Sequence, residues 1–146
     1  DILIMDIEFG PASGIALALA AAHFLDDIPV VFAKKSPAAN QSADMLTAVA
    51  HSFTHGNDNA LRVDRRYLPA GSRVLVVDDF LADGEASRAL ISIAEQAGCT
   101  LVGVGIAVEK GFQPGGRKLR EAGVNLKSLA IVTSIQDGRI QLADDD

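Results

Sequence analysis

The chain has 146 residues, of which 49% are apolar, and its 13 Lys and Arg against 19 Asp and Glu give a net charge of −6. This length suits one domain with a real core, and the apolar share lies above the disordered range. The acidic balance argues against nonspecific nucleic-acid binding, no apolar run reaches bilayer length, and one cysteine excludes an internal disulfide.

The chain opens at Asp1, without Met or a signal-like segment, and its first strand starts almost at once. An N-terminal piece is therefore expected to have been removed. Ile2 to Met5 is a short apolar run, read as a buried strand. Gly10-Pro11-Ala12-Ser13-Gly14 breaks it, and Ile15 to Leu25 is rich in helix formers. Ile28 to Ala33 reads as the next strand and ends at Lys34-Lys35. Ser36 to Asp44 is small and polar without periodicity, which reads as a mobile loop. Leu46 to Thr54 and Leu61 to Leu68 read as a hairpin around His55-Gly56-Asn57-Asp58-Asn59.

Arg73 to Val77 is expected to be the central strand. Glu85 to Ala97 sets Ala86, Ala89, Leu90, Ile93, Ala94 and Ala97 on one helical face, with Gly98 as C-cap. Leu101 to Val108 reads as a strand, Gly115 to Ala122 as a short helix stopped by Gly123, and Leu126 to Val132 as another strand. Ser134-Ile135 and Ile140 to Leu142 frame Asp137-Gly138 as a small closing hairpin. Asp144 to Asp146 is a solvated acidic tail. Apolar strands alternating with helices predict an α/β fold with a mainly parallel sheet covered on both faces.

The sequence is most informative between Val74 and Ser87. Four apolar residues end at two acids, Asp78 and Asp79, and a small loop then opens into a helix near Glu85. In open α/β sheets ligands bind at the carboxyl edge of the strands. A helix start offers unpaired N–H groups and partial positive charge, which suit a phosphate. Two adjacent carboxylates repel, and their repulsion calls for a cation or hydroxyl donors. Acids for hydroxyls beside amides for a phosphate fit a sugar phosphate. Lys34 and Lys35, at the end of another buried strand, favour an anion over plain solvation. Phe80 offers an aromatic face for a flat ring, against the alternative of plain packing. Cys99 reads as a small structural residue, and His23, His51 and His55 lack metal-ligand spacing.

The segment resembles the phosphoribosyl diphosphate (PRPP) signature of type I phosphoribosyltransferases: an apolar strand, two acids and a small Gly-containing loop. Phe80-Leu81-Ala82, the run Val108-Glu109-Lys110-Gly111-Phe112-Gln113-Pro114-Gly115, and Lys127-Ser128-Leu129-Ala130 look like the xanthine-specific branch of that family. These matches cover most of the chain from Val30 to Val132. The resemblance implies one domain over residues 1–146, with a parallel sheet, a hairpin and a mobile loop. It also implies a hood over the base, most of which this chain is expected to lack.

As to function, the resemblance implies transfer of phosphoribose from PRPP to a purine, xanthine above all, with Mg²⁺ and release of diphosphate. It implies that Asp78 and Asp79 bind the ribose hydroxyls and stabilise positive charge on the ring. Ala82, Asp83, Gly84, Glu85, Ala86 and Ser87 would cradle the 5-phosphate, and Ser13 and Gly14 would anchor the diphosphate loop. Lys34 and Lys35 would contact the leaving group, while Phe80 and Lys110 would frame the base. Asp83 departs from the pattern, since the family has Thr or Asn there. The expected assembly is a cytoplasmic homodimer without nucleic-acid or membrane partners. Two other readings are a noncatalytic PRPP- or purine-sensing domain and a phosphorylated receiver; the latter would not explain the run from Lys110 to Gly115.

Overall fold

The computed structural model describes residues 1–6, 14–35, 44–51 and 58–143. The expected diphosphate loop up to Ser13, the expected mobile loop Ser36 to Asp44 except for Asp44, the first hairpin's tip except for Asp58 and Asn59, and the acidic tail lie outside them.

In chain order the elements are β1 (Ile2–Asp6), α1 (Gly14–Phe24), β2 (Val30–Ala33), β3 (Met45–His51) and β4 (Asp58–Asp64), then a 3₁₀ turn (Arg65–Tyr67). They continue with β5 (Arg73–Leu81), α2 (Glu85–Gln96), β6 (Thr100–Lys110), α3 (Gly115–Glu121), β7 (Leu126–Gln136) and β8 (Arg139–Leu142). Six strands form one sheet in the order β2-β1-β5-β6-β7-β8, parallel except for the β7–β8 pair, and β3 and β4 form a separate antiparallel hairpin.

This order fixes where a ligand can sit. From β1 the chain moves outward through α1 to β2, and then returns to the far side of β1 at β5. The winding direction reverses between β1 and β5, and in such sheets the crevice lies beyond the carboxyl ends of the strands at the reversal. Those ends are Asp6 and the acidic stretch of β5.

Helices pack on both faces, with α1 against the β2-β1-β5 end and Leu129, Ile135, Ile140 and Leu142 of β7 and β8 left exposed. On one face α2, α3 and the β3–β4 hairpin enclose the larger core, with Ile4, Leu46, Leu61, Leu68, Val74, Val76, Leu90, Ile93 and Val104 among its buried members. On the other, α1 packs Ala18 against Leu3, Met5 and Val77. Each large side chain buried in this way contributes about 1.5–3 kcal/mol. The sequence of α1, Gly-Ile-Ala-Leu-Ala-Leu-Ala-Ala-Ala-His-Phe, is apolar nearly all round, so its outer side leaves Leu19 and Phe24 exposed. Among the described residues no helix is long and apolar enough to cross a membrane.

Most elements follow the sequence reading, with shifts at their ends: β4 begins at Asp58, inside the expected turn, and β6 runs past Val108 to Lys110. β5 runs past the acids to Leu81, because Phe80 and Leu81 still pair with Val108 and Glu109 of β6, and Leu81 is buried in the larger core. β4 stops at Asp64, whose carboxylate accepts the Arg66 N–H at 3.0 Å and turns the chain into the 3₁₀ segment. β7 is continuous through Gln136 instead of breaking before a separate hairpin. A bulge between Val132 and Ser134 lets the one strand pair with both β6 and β8. The expected turn at Asp137-Gly138 is present, with positive φ at both residues.

Candidate active site

The carboxyl edge of β5 carries the acids. Asp78 is buried at 6% exposure, whereas Asp79 is half-buried. Each takes up the next backbone amide: Asp78 Oδ1 accepts the Asp79 N–H at 3.0 Å, and Asp79 Oδ1 accepts the Phe80 N–H at 2.8 Å. These bonds hold both carboxylates against the strand in defined orientations. Neighbouring strand residues point to opposite faces, so the two acids diverge around the strand end.

Directly after β5 the chain turns through Ala82 and Asp83 to Gly84, the N-cap of α2, with φ 83°. Only glycine adopts that left-handed backbone freely. Gly84 has no side chain to cap the helix, which leaves the first N–H groups of α2 available to an anion. Behind this loop stands α3. The Gly115 N–H donates to Ala82 O at 3.0 Å, and a Cβ placed on Gly115 would lie 2.6 Å from Gly84 N. Glu85 pairs with Arg88 one turn on. Ser87 is buried at 1% exposure, and its Oγ has no partner among the described residues. Asp83 is half-buried and likewise lacks a hydrogen-bond or ion-pair partner among them.

β6 brings its last residue to the same edge. Lys110 Nζ lies 5.9 Å from the centre of the half-exposed Phe80 ring, in cation–π range. A flat ligand placed on Phe80 would thus meet an ammonium. On the other side of β5, β2 ends at Ala33 and delivers Lys34 and Lys35 to the parallel edge. The Lys34 backbone is bonded both ways to Arg62 of β4, at 2.9 Å each, and its side chain is exposed. Gly14 begins α1, and Ser13 lies outside the described residues. The sheet order therefore gathers Asp78, Asp79, Phe80, the 82–87 loop, Lys110, Lys34 and Lys35 at one edge, from three strands and a helix start.

At 46% identity over 137 residues, the chain is similar to xanthine phosphoribosyltransferase 1 of Clostridium perfringens, and the match covers 94% of this chain and 70% of that relative. The chain belongs to the xanthine phosphoribosyltransferase family. The relative from Bifidobacterium animalis subsp. lactis, also named xanthine phosphoribosyltransferase, is 51% identical over 132 residues, covering 90% of this chain and 67% of its own length. No protein-family model matches the chain. Solved structures agree on the fold. Adenine phosphoribosyltransferase of Thermoanaerobacter pseudethanolicus superposes with TM-score 0.73 at 24% identity, over 90% of this chain and 69% of that one. The Saccharomyces cerevisiae adenine enzyme gives 0.72 at 22%, over 88% and 66%.

Within this family frame, one cluster escaped the sequence reading. Glu109 is buried at 3% exposure and accepts two hydrogen bonds from the Arg120 guanidinium at 2.7 Å each, and one from Ser128 Oγ at 2.5 Å. The bidentate contact with Arg120, helped by Ser128, holds the Glu109 carboxyl below the usual range despite burial, and raises Arg120. The signal was a lone Glu closing an otherwise apolar strand, which demands a partner. Cys99 fits the structural reading: burial raises its thiol, and Sγ lies 3.5 Å from Pro69 O. His23 pairs on the surface with Asp27 at 3.1 Å.

Proposed function

We propose that residues 1–146 form a single phosphoribosyltransferase domain that joins a purine, xanthine by preference, to PRPP, giving a nucleoside monophosphate and diphosphate. The observation that carries this reading is the shared edge: two oriented carboxylates, an uncapped helix start and an ammonium over an exposed aromatic ring. Asp78 and Asp79 bind the ribose hydroxyls and face the positive charge that grows on the ring as the diphosphate departs. Backbone amides from Gly84 onward hold the 5-phosphate, while Ser13, Gly14, Lys34 and Lys35 serve the diphosphate. Catalysis rests on positioning and on fixed charges, without a protein nucleophile.

Mg²⁺ fits this arrangement. This ion is commonly held by substrate phosphates with few protein carboxylates, and the edge offers two, Asp78 and Asp79. It would supply charge neutralisation for the diphosphate, with Asp78 and Asp79 as the nearest acids to the sugar. A cytoplasmic homodimer completes the reading. The test is nucleotide formation from PRPP and Mg²⁺ with xanthine, guanine, hypoxanthine and adenine in turn. Turnover with none of the four would refute it.

Two substitutions sharpen the assignment. Lys110→Ala removes the ammonium above Phe80 and is expected to raise the KM for xanthine roughly tenfold to a hundredfold, the worth of one charge-assisted hydrogen bond of about 1.5–3 kcal/mol. PRPP affinity is expected to stay close to wild type. Collapse of PRPP affinity with an unchanged base preference would move Lys110 to the phosphate side. Asp83→Asn removes a carboxylate from the phosphate loop while keeping its shape. The Kd for PRPP with Mg²⁺, measured by calorimetry, is expected to fall roughly fivefold, equivalent to about 1 kcal/mol of relieved repulsion. An unchanged value would mean that Asp83 faces away from the phosphate.

A further inference from the structure

Glu109 and Arg120 stand behind the ligand edge, yet they are mechanically joined to it. Glu109 is one residue before Lys110 and deep in the sheet, between Leu81 of β5 and Ile131 of β7. Its carboxylate takes both arms of the Arg120 fork and the Ser128 hydroxyl, so α3 is fastened to β6 and β7 at one point. The fastening is close. A Cβ on Gly116 would lie 2.6 Å from the Glu109 carboxyl carbon and 2.7 Å from Arg120 Nη1, so only glycine lets the helix approach this far. The preceding residue, Gly115, is the one whose backbone touches the phosphate loop. It donates to Ala82 O at 3.0 Å and, by its Cα, comes within 3.2 Å of where a Cβ on Gly84 would sit. The two adjacent glycines therefore have different jobs: Gly116 admits the ion cluster, and Gly115 meets the loop.

We propose that the Glu109–Arg120–Ser128 cluster is a positioning device for the 5-phosphate loop. By fixing α3 it presses the Gly115 backbone against residues 82–84 and so sets the spacing of the amides that grip a sugar phosphate. Glu109, Arg120 and Ser128 are positioning residues, since none of them belongs to the ligand edge. Two features make the device necessary. α3 spans only Gly115–Glu121, too short to hold its place by its own backbone bonds, and it buries a single large side chain, Leu119. The loop in turn has no side-chain cap on Gly84, so its shape depends on what stands behind it. Arg serves better than Lys here because its planar fork fixes direction as well as distance.

The inference rests on the sugar-phosphate reading of the 82–87 loop, and its test separates the two. Ribose 5-phosphate is titrated calorimetrically into the full chain and into Arg120→Met, Arg120→Lys and Gly115→Ala. Melting temperature and the KM values for PRPP and base are measured alongside. Arg120→Met and Gly115→Ala are expected to weaken ribose 5-phosphate about tenfold or more, as displaced donors do. The KM for PRPP is expected to rise in step, with little change in the KM for the base, and Arg120→Lys to recover part of the loss. Gly115→Ala leaves the ion cluster intact and crowds the loop backbone directly, so it shows only that the loop responds to its contact with α3; Arg120→Lys decides the matter if Arg120→Met does not fold. Wild-type affinity for ribose 5-phosphate in variants that merely melt earlier would overturn the inference and leave the loop assignment standing. Absence of binding by the wild-type chain would bring down the loop assignment and the inference together.

Discussion

Replacing Asp78 and Asp79 together by Asn is expected to lower nucleotide formation by about a hundredfold or more, the scale of losing groups aimed at transition-state charge. The fold is expected to survive. Asn keeps the shape of Asp, and its Oδ1 can still accept the amides that Asp78 and Asp79 now take from Asp79 and Phe80 at 3.0 and 2.8 Å. What disappears is charge at the strand end. Asp78, buried at 6% exposure, and its half-buried neighbour Asp79 set two negative charges where positive charge would develop on the ribose. Thermal stability is expected to hold while kcat collapses. That opposition distinguishes a catalytic pair from a structural one. Removal of a structural pair would lower the melting temperature and leave turnover of the folded fraction unchanged. Near-normal turnover of the double variant would sink the assignment.

The parts of this molecule legible in the sequence are those set by local pattern. The apolar runs at Ile2–Met5 and Val74–Val77 read as strands and are strands, and the predicted helical face is buried at Ala89, Leu90, Ile93, Ala94 and Ala97 while Ala86 stays half-buried. The acids and the small loop could be placed because strand, turn and helix start are consecutive in the chain. Other features depend on partners far away in sequence. β5 continues to Leu81 only because β6 pairs with it there, and β7 stays unbroken because β8 folds back along it. The Glu109–Arg120 pair joins a strand end to a short helix whose place the sequence reading found but to which it gave no contact. Nothing in the local pattern of Gly115-Gly116-Arg117-Lys118-Leu119-Arg120 says which cation turns inward. Ser87 shows the same limit: its place in the first turn of α2 was legible, but its burial with an Oγ unpaired among the described residues was not.

Gly116→Ala is expected to destabilise the fold by about 2 kcal/mol at neutral pH, the reverse of what the same change does in an ordinary helix. Alanine normally gains about 1 kcal/mol over glycine inside a helix. Here its Cβ would crowd the Glu109 carboxylate and approach Arg120 Nη1 to 2.7 Å, so these side-chain ends must shift, which loosens the pair. Breaking such a pair costs about 3–5 kcal/mol when fully buried, and the lower end applies because the Arg120 side chain is 43% exposed. The loss carries a pH signature. Arg120 first, then Ser128, holds the folded Glu109 carboxyl below its ordinary value, against the opposing effect of burial. The unfolded chain, with a Glu near about 4.3, binds this proton first as pH falls. The stabilisation is therefore complete above about pH 5 and is lost as pH drops toward the folded value. In the Gly116→Ala protein the pair is already disrupted and has less to lose. Urea unfolding measured from neutral pH down to about pH 3 is expected to show wild type falling more steeply in acid, with the two curves converging. Parallel curves would mean that Gly116 acts through backbone packing alone and that the carboxylate is not held by Arg120 in solution.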